Sequence, residues 1–209
     1  MNQITNKKIK EDILKIIEAE AKAILSIPIT DSFGKAVDLI NKAVHSKKGK
    51  VVASGVGKAG NIALNIAKTL SATGTPAIFL NPSEAQHGDL GIIQPNDVLL
   101  LFSNSGKTKE VIELCKLVKM LKYQLKIISI TGNQKSELGK ISDITISTGN
   151  PKEVCPLELT PTTSTTAMKV AGDILIVLMI QKIGLTFNDY AKMHPGGYLG
   201  IKSRNAAKK

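Results

Sequence analysis

The feature that most constrains this chain is a change of period near its middle. Val98 to Phe102 is an unbroken apolar run, the pattern of a strand buried on both faces. The run breaks into Ser103-Asn104-Ser105-Gly106-Lys107-Thr108. After Thr108 the apolar residues recur at helical spacing, through Val111, Ile112, Leu114, Leu117, Val118 and Leu121. Strand, hydroxyl-rich turn and helix are therefore predicted in direct succession. Such a turn aims backbone N–H groups and short side-chain donors at a helix N-terminus, a ready site for an anion. Ser103, Ser105 and Thr108 can each donate a hydroxyl hydrogen bond, and Gly106 permits close approach or positive φ. An ordinary helix start needs one capping residue, whereas three hydroxyls cluster here, so phosphate binding is favoured over a plain cap. The turn lacks G-x-x-x-x-G-K-[ST] and is not a nucleotide P-loop.

The same unit recurs along the chain. Lys50 to Ser54 reads as the first strand, followed by GVGKAG (55–60) and a helix over about 61–72. The glycines have the outline of G-x-G-x-x-G, but a dinucleotide site also wants an acid at the tip of the second strand. That strand, 76–80, is followed by Asn81, Pro82 and Ser83, and Glu84 comes late. NAD binding is disfavoured, and Ser54, Gly55 and Lys58 are read as lining the same anion site. Strands at 97–103, 126–131 and 143–147 with a short helix at 135–140 complete a βαβαβαβαβ order. The predicted fold is α/β, a doubly wound five-stranded parallel sheet with helices on both faces.

Two helices, 7–25 and 31–46, precede the sheet and end at Pro28 and Gly49. Ile9, Ile13, Ile16, Ile17, Ala21 and Ile24 form an apolar face on the first. His45 is read as a surface residue. The expected organisation is N-terminal helices over 1–48, the main domain over 49–203 and a basic tail at 204–209.

Polar and ionisable residues concentrate in three further places. EAQHGDLGII (84–93) carries His87 in a loop on the edge where α/β ligands bind, and its contact with substrate stays open. Residues 152–169 carry Glu153 and Glu158 in a proline-broken loop, then hydroxyls from Thr162 to Thr166 opening a long helix to about Gly184. That helix is apolar without interruption from Ile174 to Ile180, and a helix apolar all round must be covered on all sides. A second subunit is the expected cover. A short helix at 188–192 leads to MHPGGYLG (193–200), read as a loop presenting His194.

Net charge of +11 invites a nucleic-acid partner, but of 28 basic residues only Arg204 is arginine, and aromatics are 3%. Bidentate recognition and base stacking both lack their usual residues. A lysine-rich solvated surface that attracts anionic metabolites is favoured, with no nucleic acid. The chain opens MNQITNKKIK without an apolar leader, and Ile174 to Ile180 is short for a bilayer. A cytoplasmic protein with no membrane partner is expected. The two cysteines give no disulfide framework. His87, Cys155 and His194 have no metal-ligand spacing, so no metal site is predicted.

GVGKAG (55–60), SATGTPAIFLNPSEAQHGDLG (71–91), FSNSGKTKE (102–110), KEVCPLELTPTTSTTA (152–167) and HPGGYLG (194–200) stand in one order. Together they resemble the sugar isomerase (SIS) domain of the D-arabinose 5-phosphate isomerases, over about residues 8–203. The resemblance implies a flavodoxin-like SIS fold. It also implies aldose–ketose isomerisation between D-ribulose 5-phosphate and D-arabinose 5-phosphate, the entry to 3-deoxy-D-manno-octulosonate for lipopolysaccharide or capsule. Lys58, Glu110, Glu153 and His194 match the family's active-site positions, with His87 in the pocket. Ser54, Gly55, Ser103, Asn104, Ser105, Thr108, Thr163 and Ser164 are the expected substrate and phosphate contacts. Long family members carry a pair of CBS domains after the SIS domain. With its last residue at Lys209, this sequence is read as the short form.

The implied chemistry moves a proton between C1 and C2 and needs a base plus a donor for the enediolate oxygen; it requires no metal or organic cofactor. His194 is the expected base, with Glu153 as its partner or the alternative base. Lys58 would stabilise the enediolate or orient hydroxyls, and Glu110 would orient substrate. The family also implies a homotetramer with sites at subunit contacts. The alternatives are a hexulose-phosphate type of SIS isomerase and a non-catalytic sugar-phosphate-sensing module.

Overall fold

The computed structural model describes the backbone of residues 3–121 and 123–208, with side chains from residue 6 onward. Helix α1 (Gln3–Leu25) and helix α2 (Ser32–Ile40) lead, and α2 continues into a π-helical turn, Asn41–Ser46. The alternating units follow: β1 (Val51–Gly55), α3 (Gly57–Ala72), β2 (Ala77–Phe79), β3 (Val98–Phe102), α4 (Lys109–Met120), β4 (Lys126–Thr131), α5 (Glu137–Ile141) and β5 (Ile144–Ser147). Three helices close the chain: α6 (Thr163–Ile183), α7 (Phe187–Met193) and α8 (Gly197–Ala206). The five strands are parallel in the order β2-β1-β3-β4-β5. This is the flavodoxin-like doubly wound topology, with its switch point between β1 and β3.

Strand β3 sits at the centre and explains its own composition. All five of its residues are fully buried. Val98, Leu100 and Phe102 face the layer containing α2, α3 and α6, and Leu99 and Leu101 face the layer containing α4 and α5. Successive side chains point to opposite faces, so a strand covered on both faces favours apolar residues throughout. Truncating Phe102 to alanine would cost about 3–5 kcal/mol.

Helix α6 is the core helix of the first layer. Its buried positions, Ala167, Met168, Ala171, Gly172, Leu175, Ile176 and Met179, follow helical spacing. Among the described residues it is the one helix long and apolar enough, by length and composition, to cross a membrane; half of its most apolar window is buried in the protein. The short run Ile174–Ile180 is thus part of a 21-residue helix. Helices α1, α2 and α3 all pack on it. That is more cover within one chain than the apolar run implied, although Val177 remains 51% exposed.

Three other local readings change. Helix α1 touches the domain through its last turns, where Ala23 is buried and Ile24 half-buried, followed by buried Ile27; Ile9, Ile13, Ile16 and Ile17 stay about half exposed. His45, in the π turn, is half-buried, with Nε2 3.3 Å from the Thr75 hydroxyl; burial lowers its pKa, aided by Lys48. Residues read as a loop after His194 form α8. Its first residue, Gly197, has φ +73.

Candidate active site

The carboxyl ends of β1 and β3 diverge at the switch point, and a cleft of about 500 Å³ opens there. From β1 it receives Val56, Lys58 and Ala59, and from β3 it receives Ser103, Asn104, Ser105 and Thr108. The far wall comes from residues 150–168, including Asn150, Lys152, Glu153, Ser164, Thr165 and Met168.

The β3 turn is held by its own hydroxyls and by its neighbour. The Ser103 and Thr108 hydroxyls lie 2.9 Å apart, and Ser103 Oγ accepts from the Gly106 N–H at 3.1 Å. Ser105 Oγ accepts from the Lys107 N–H at 3.2 Å. Gly106 has φ +64, and a β-carbon there would lie 1.9 Å from Ser136 Oγ. No residue with a side chain fits, so glycine lets the turn lie against the start of α5 and hold its shape before any ligand arrives. The glycines after β1 have a similar packing reason: a β-carbon on Gly60 would lie 2.6 Å from the Gly55 carbonyl oxygen. The G-x-G-x-x-G outline thus reflects helix–strand packing.

Glu153 is anchored on the N-terminus of α6. Its Oε2 accepts from the Thr162 N–H at 2.8 Å, the Thr162 hydroxyl at 3.1 Å and the Ser164 N–H at 3.2 Å. Oε1 receives none of these bonds. Burial pushes this carboxyl up, but hydrogen bonds from the Ser164 hydroxyl and from Thr162 and Ser164 outweigh it and leave the pKa below its ordinary value. Glu153 is a fixed anion at neutral pH, not a carboxyl tuned upward to act as a base.

Of the expected site residues, Lys58, Ser103, Asn104, Ser105, Thr108, Glu153 and Ser164 meet in this cleft. Thr163 stands one hydrogen bond behind it, accepting from the Val154 N–H at 3.0 Å. The remaining five lie elsewhere. Ser54 is fully buried, and its hydroxyl has no partner among the described residues; strand alternation turns it toward the α4 side with Val52. Gly55 lines a neighbouring cleft of about 320 Å³ with Asn81 and Ser83. Glu110 is half-buried in the first turn of α4, and His87 ends an exposed 3-10 turn, Glu84–His87. Neither lines the cleft.

His194 caps α7 away from the cleft. Its ring stacks on Tyr190, with centroids 4.0 Å apart and planes 9° apart, and Nδ1 lies 3.0 Å from the Tyr190 carbonyl oxygen. A carbonyl only accepts, so Nδ1 is the nitrogen that donates here.

Sequence reasoning passed over Asn150 and Lys152 on the cleft wall. Lys152 adjoins Glu153 and sat inside the polar stretch already singled out. Asn150 carried no signal of its own; it adopts φ +52, a conformation asparagine tolerates. Among the described residues no group of three or more His, Cys, Asp or Glu side chains is placed to hold a metal ion.

A switch-point cleft with hydroxyl donors on one wall and a lysine and a carboxylate beside them lies where open α/β sheets hold their ligands. The SIS domain model matches residues 44–178, and the chain belongs to that family. It is 45% identical over 186 residues to the arabinose 5-phosphate isomerase KdsD of Yersinia pestis, a match covering 89% of this chain and 55% of the relative. It is 44% identical over 184 residues to KdsD of Pseudomonas aeruginosa, covering 88% and 55%. The chain thus spans little more than half the length of these curated relatives. Among solved structures, a Bacteroides fragilis protein put forward as a phosphosugar isomerase involved in capsule formation superposes with TM-score 0.89 at 56% identity, covering 91% of this chain and 99% of the other. An Escherichia coli protein in complex with arabinose 5-phosphate superposes with TM-score 0.80 at 33% identity, covering 93% and 100%.

Proposed function

We propose that this protein is an aldose–ketose isomerase interconverting D-ribulose 5-phosphate and D-arabinose 5-phosphate. The observation that carries the reading is the cleft at the β1/β3 switch point, where a preshaped hydroxyl turn, Lys58 and the Glu153 carboxylate converge. The naming of the KdsD relatives and the arabinose 5-phosphate complex of the Escherichia coli neighbour support the choice of pentose phosphate.

In this reading the phosphate sits on Ser103, Ser105, Thr108 and the N–H groups at the start of α4, which favour an anion. The sugar chain extends toward Lys58 and Glu153. Transfer of the proton between C1 and C2 passes through an enediolate, and Lys58 supplies positive charge where that oxyanion develops. Glu153, held as an anion, orients the sugar hydroxyls and an approaching imidazole. His194 Nε2 is the base, with its tautomer set by the Tyr190 carbonyl. Glu110 and His87, outside this cleft in a single chain, would reach the substrate only if a neighbouring subunit brought them, as with His194.

His194 does not line its own chain's cleft, so the reading includes a homotetramer in which a neighbour delivers it. The half-exposed isoleucines of α1 and the apolar groove formed by Ile180, Leu185, Phe187, Tyr190 and Leu199 are surfaces that such an assembly would cover. The catalytic domain is residues 49–203, the compartment is the cytoplasm, and the product feeds an octulosonate for lipopolysaccharide or capsule.

The test is turnover of ribulose 5-phosphate by the purified protein with identification of the product. Absence of arabinose 5-phosphate would overturn the proposal. Shared sites are tested by co-refolding Ser105→Ala/Thr108→Val protein with His194→Ala protein. Activity returns if some mixed sites receive both intact halves, and stays absent if each site lies within one chain.

A further inference from the structure

Thr163, the first residue of α6, uses its hydroxyl twice. The oxygen accepts from the Val154 N–H at 3.0 Å, and the hydroxyl donates to Glu20 Oε1 at 3.3 Å. Val154 directly follows Glu153, whose carboxylate rests on the residues at either side of Thr163. Glu20 comes from α1, 143 residues away in the chain. Its second oxygen, Oε2, is buried without a partner among the described residues. A buried, unpaired carboxylate oxygen is costly, and an anion beside the first turn of a helix offsets part of that cost.

A threonine hydroxyl has one proton and two lone pairs. While the proton points at Glu20, a lone pair is available to the Val154 N–H. Without Glu20 the hydroxyl proton loses its acceptor, the Thr163 side chain is no longer anchored to α1, and its oxygen can swing away from the Val154 N–H. We infer that Glu20 is a positioning residue. It orients the Thr163 hydroxyl, which fixes Val154 and so holds the Glu153 carboxylate at the cleft. The inference rests on the reading of Glu153 as part of an isomerase site, and it makes α1, a helix outside the sheet, part of that site's support.

Four variants test it: Glu20→Ala, Glu20→Gln, Thr163→Val and the double variant Glu20→Ala/Thr163→Val. Glu20→Ala should lower kcat about tenfold, the order of one lost hydrogen bond, while KM stays within about twofold because the phosphate turn is untouched. Glu20→Gln keeps an acceptor and should retain kcat within about twofold. The double variant should be no slower than Thr163→Val alone, since both changes act through one hydroxyl. Amide exchange read by NMR should accelerate at Val154 in Glu20→Ala and not in Glu20→Gln.

Unchanged kcat in Glu20→Ala, a glutamine variant as slow as the alanine one, or additive losses in the double variant would each overturn the inference. If the unmodified protein fails to turn over ribulose 5-phosphate, the isomerase reading falls. The Val154 exchange measurement then still decides the positioning role, and unchanged exchange in Glu20→Ala overturns it. Melting temperatures of all four proteins separate loss of fold from loss of position.

Discussion

The two edges of the sheet use the same chemistry to opposite ends. At the amino edge, Asp97 just before β3 accepts from the Lys50 N–H at 2.9 Å, the Lys50 ammonium at 2.6 Å and the Gln94 N–H at 2.8 Å. Asp143 just before β5 accepts from the Lys126 ammonium at 2.6 Å and the Ile127 N–H at 2.8 Å. Each aspartate clasps the chain where the neighbouring strand begins, and each has its own lysine. At the carboxyl edge, Glu153 also accepts backbone N–H groups, but no lysine pairs with it among the described residues. Lys58 and Lys152 line the same cleft and form no ion pair with a carboxylate among those residues. The amino edge satisfies its charges internally and aligns strands. The carboxyl edge fixes an anion and leaves cations and hydroxyls for a ligand.

The sharpest way to break this contrast is to remove charge at each edge and compare activity with stability. Glu153→Gln and His194→Ala should each reduce isomerase turnover by about 10²–10⁴-fold, the usual range for a proton-transfer group or its partner, with melting temperatures close to wild type. A large fall in melting temperature for Glu153→Gln would place that carboxylate with the structural ones. Asp97→Ala should destabilise by about 3–5 kcal/mol, because it strands a buried pair whose aspartate is 1% exposed. Its kcat per folded molecule should be unchanged. Asp143→Ala, from a pair 56% and 34% exposed, should cost only about 1 kcal/mol. Urea titration of the two variants checks the order.

Smaller effects sharpen the picture of the carboxyl edge. Ser105→Ala removes one hydroxyl from the proposed phosphate site, worth about 1.5–3 kcal/mol against a charged group. The KM for sugar phosphate should rise by about one to two orders of magnitude, with little change in melting temperature. An unchanged KM would move the phosphate off this turn. The pH dependence follows from the lowered Glu153 pKa. A depressed carboxyl contributes stability that is fully present above its unfolded value, about 4.3, and is lost as pH falls through the folded value. The small stability advantage of wild type over Glu153→Gln should therefore vanish on acidification below about pH 4, and Glu153 should add no limb to the activity profile between about pH 5 and 8. The two thiols give the mildest test. Cys155 is lowered to about 7 by hydrogen bonds from Thr160, side chain then backbone, with Leu159 and Leu157 adding to it, while burial raises Cys115 to about 11. Iodoacetamide at about pH 8 should label Cys155 first, as peptide mapping would show.

Much of the architecture was legible because it depends on period. The apolar run before Ser103, the helical spacing after Thr108 and the repeat of that unit at Gly55 determine a parallel, doubly wound sheet without reference to any contact. The hydroxyl turn after β3 was legible for the same reason: its hydroxyls and glycine are close together in sequence, and local backbone geometry alone gathers them. What only the tertiary structure decided is which distant residues meet. Lys58, Ser105 and Glu153 share a cleft because β1 and β3 are neighbours and α6 lies over their ends. His194 and Glu110, equally prominent as sequence, do not reach it in one chain. Residues 197–206 carried no apolar stripe and so gave no helical signal, yet they form α8 against α7. Glu20, near the end of an ordinary amphipathic helix, was invisible. Spacing along a chain encodes the direction of side chains within one element, but the meeting of Glu20 with Thr163 depends on how α1 packs across α6, which no local period records.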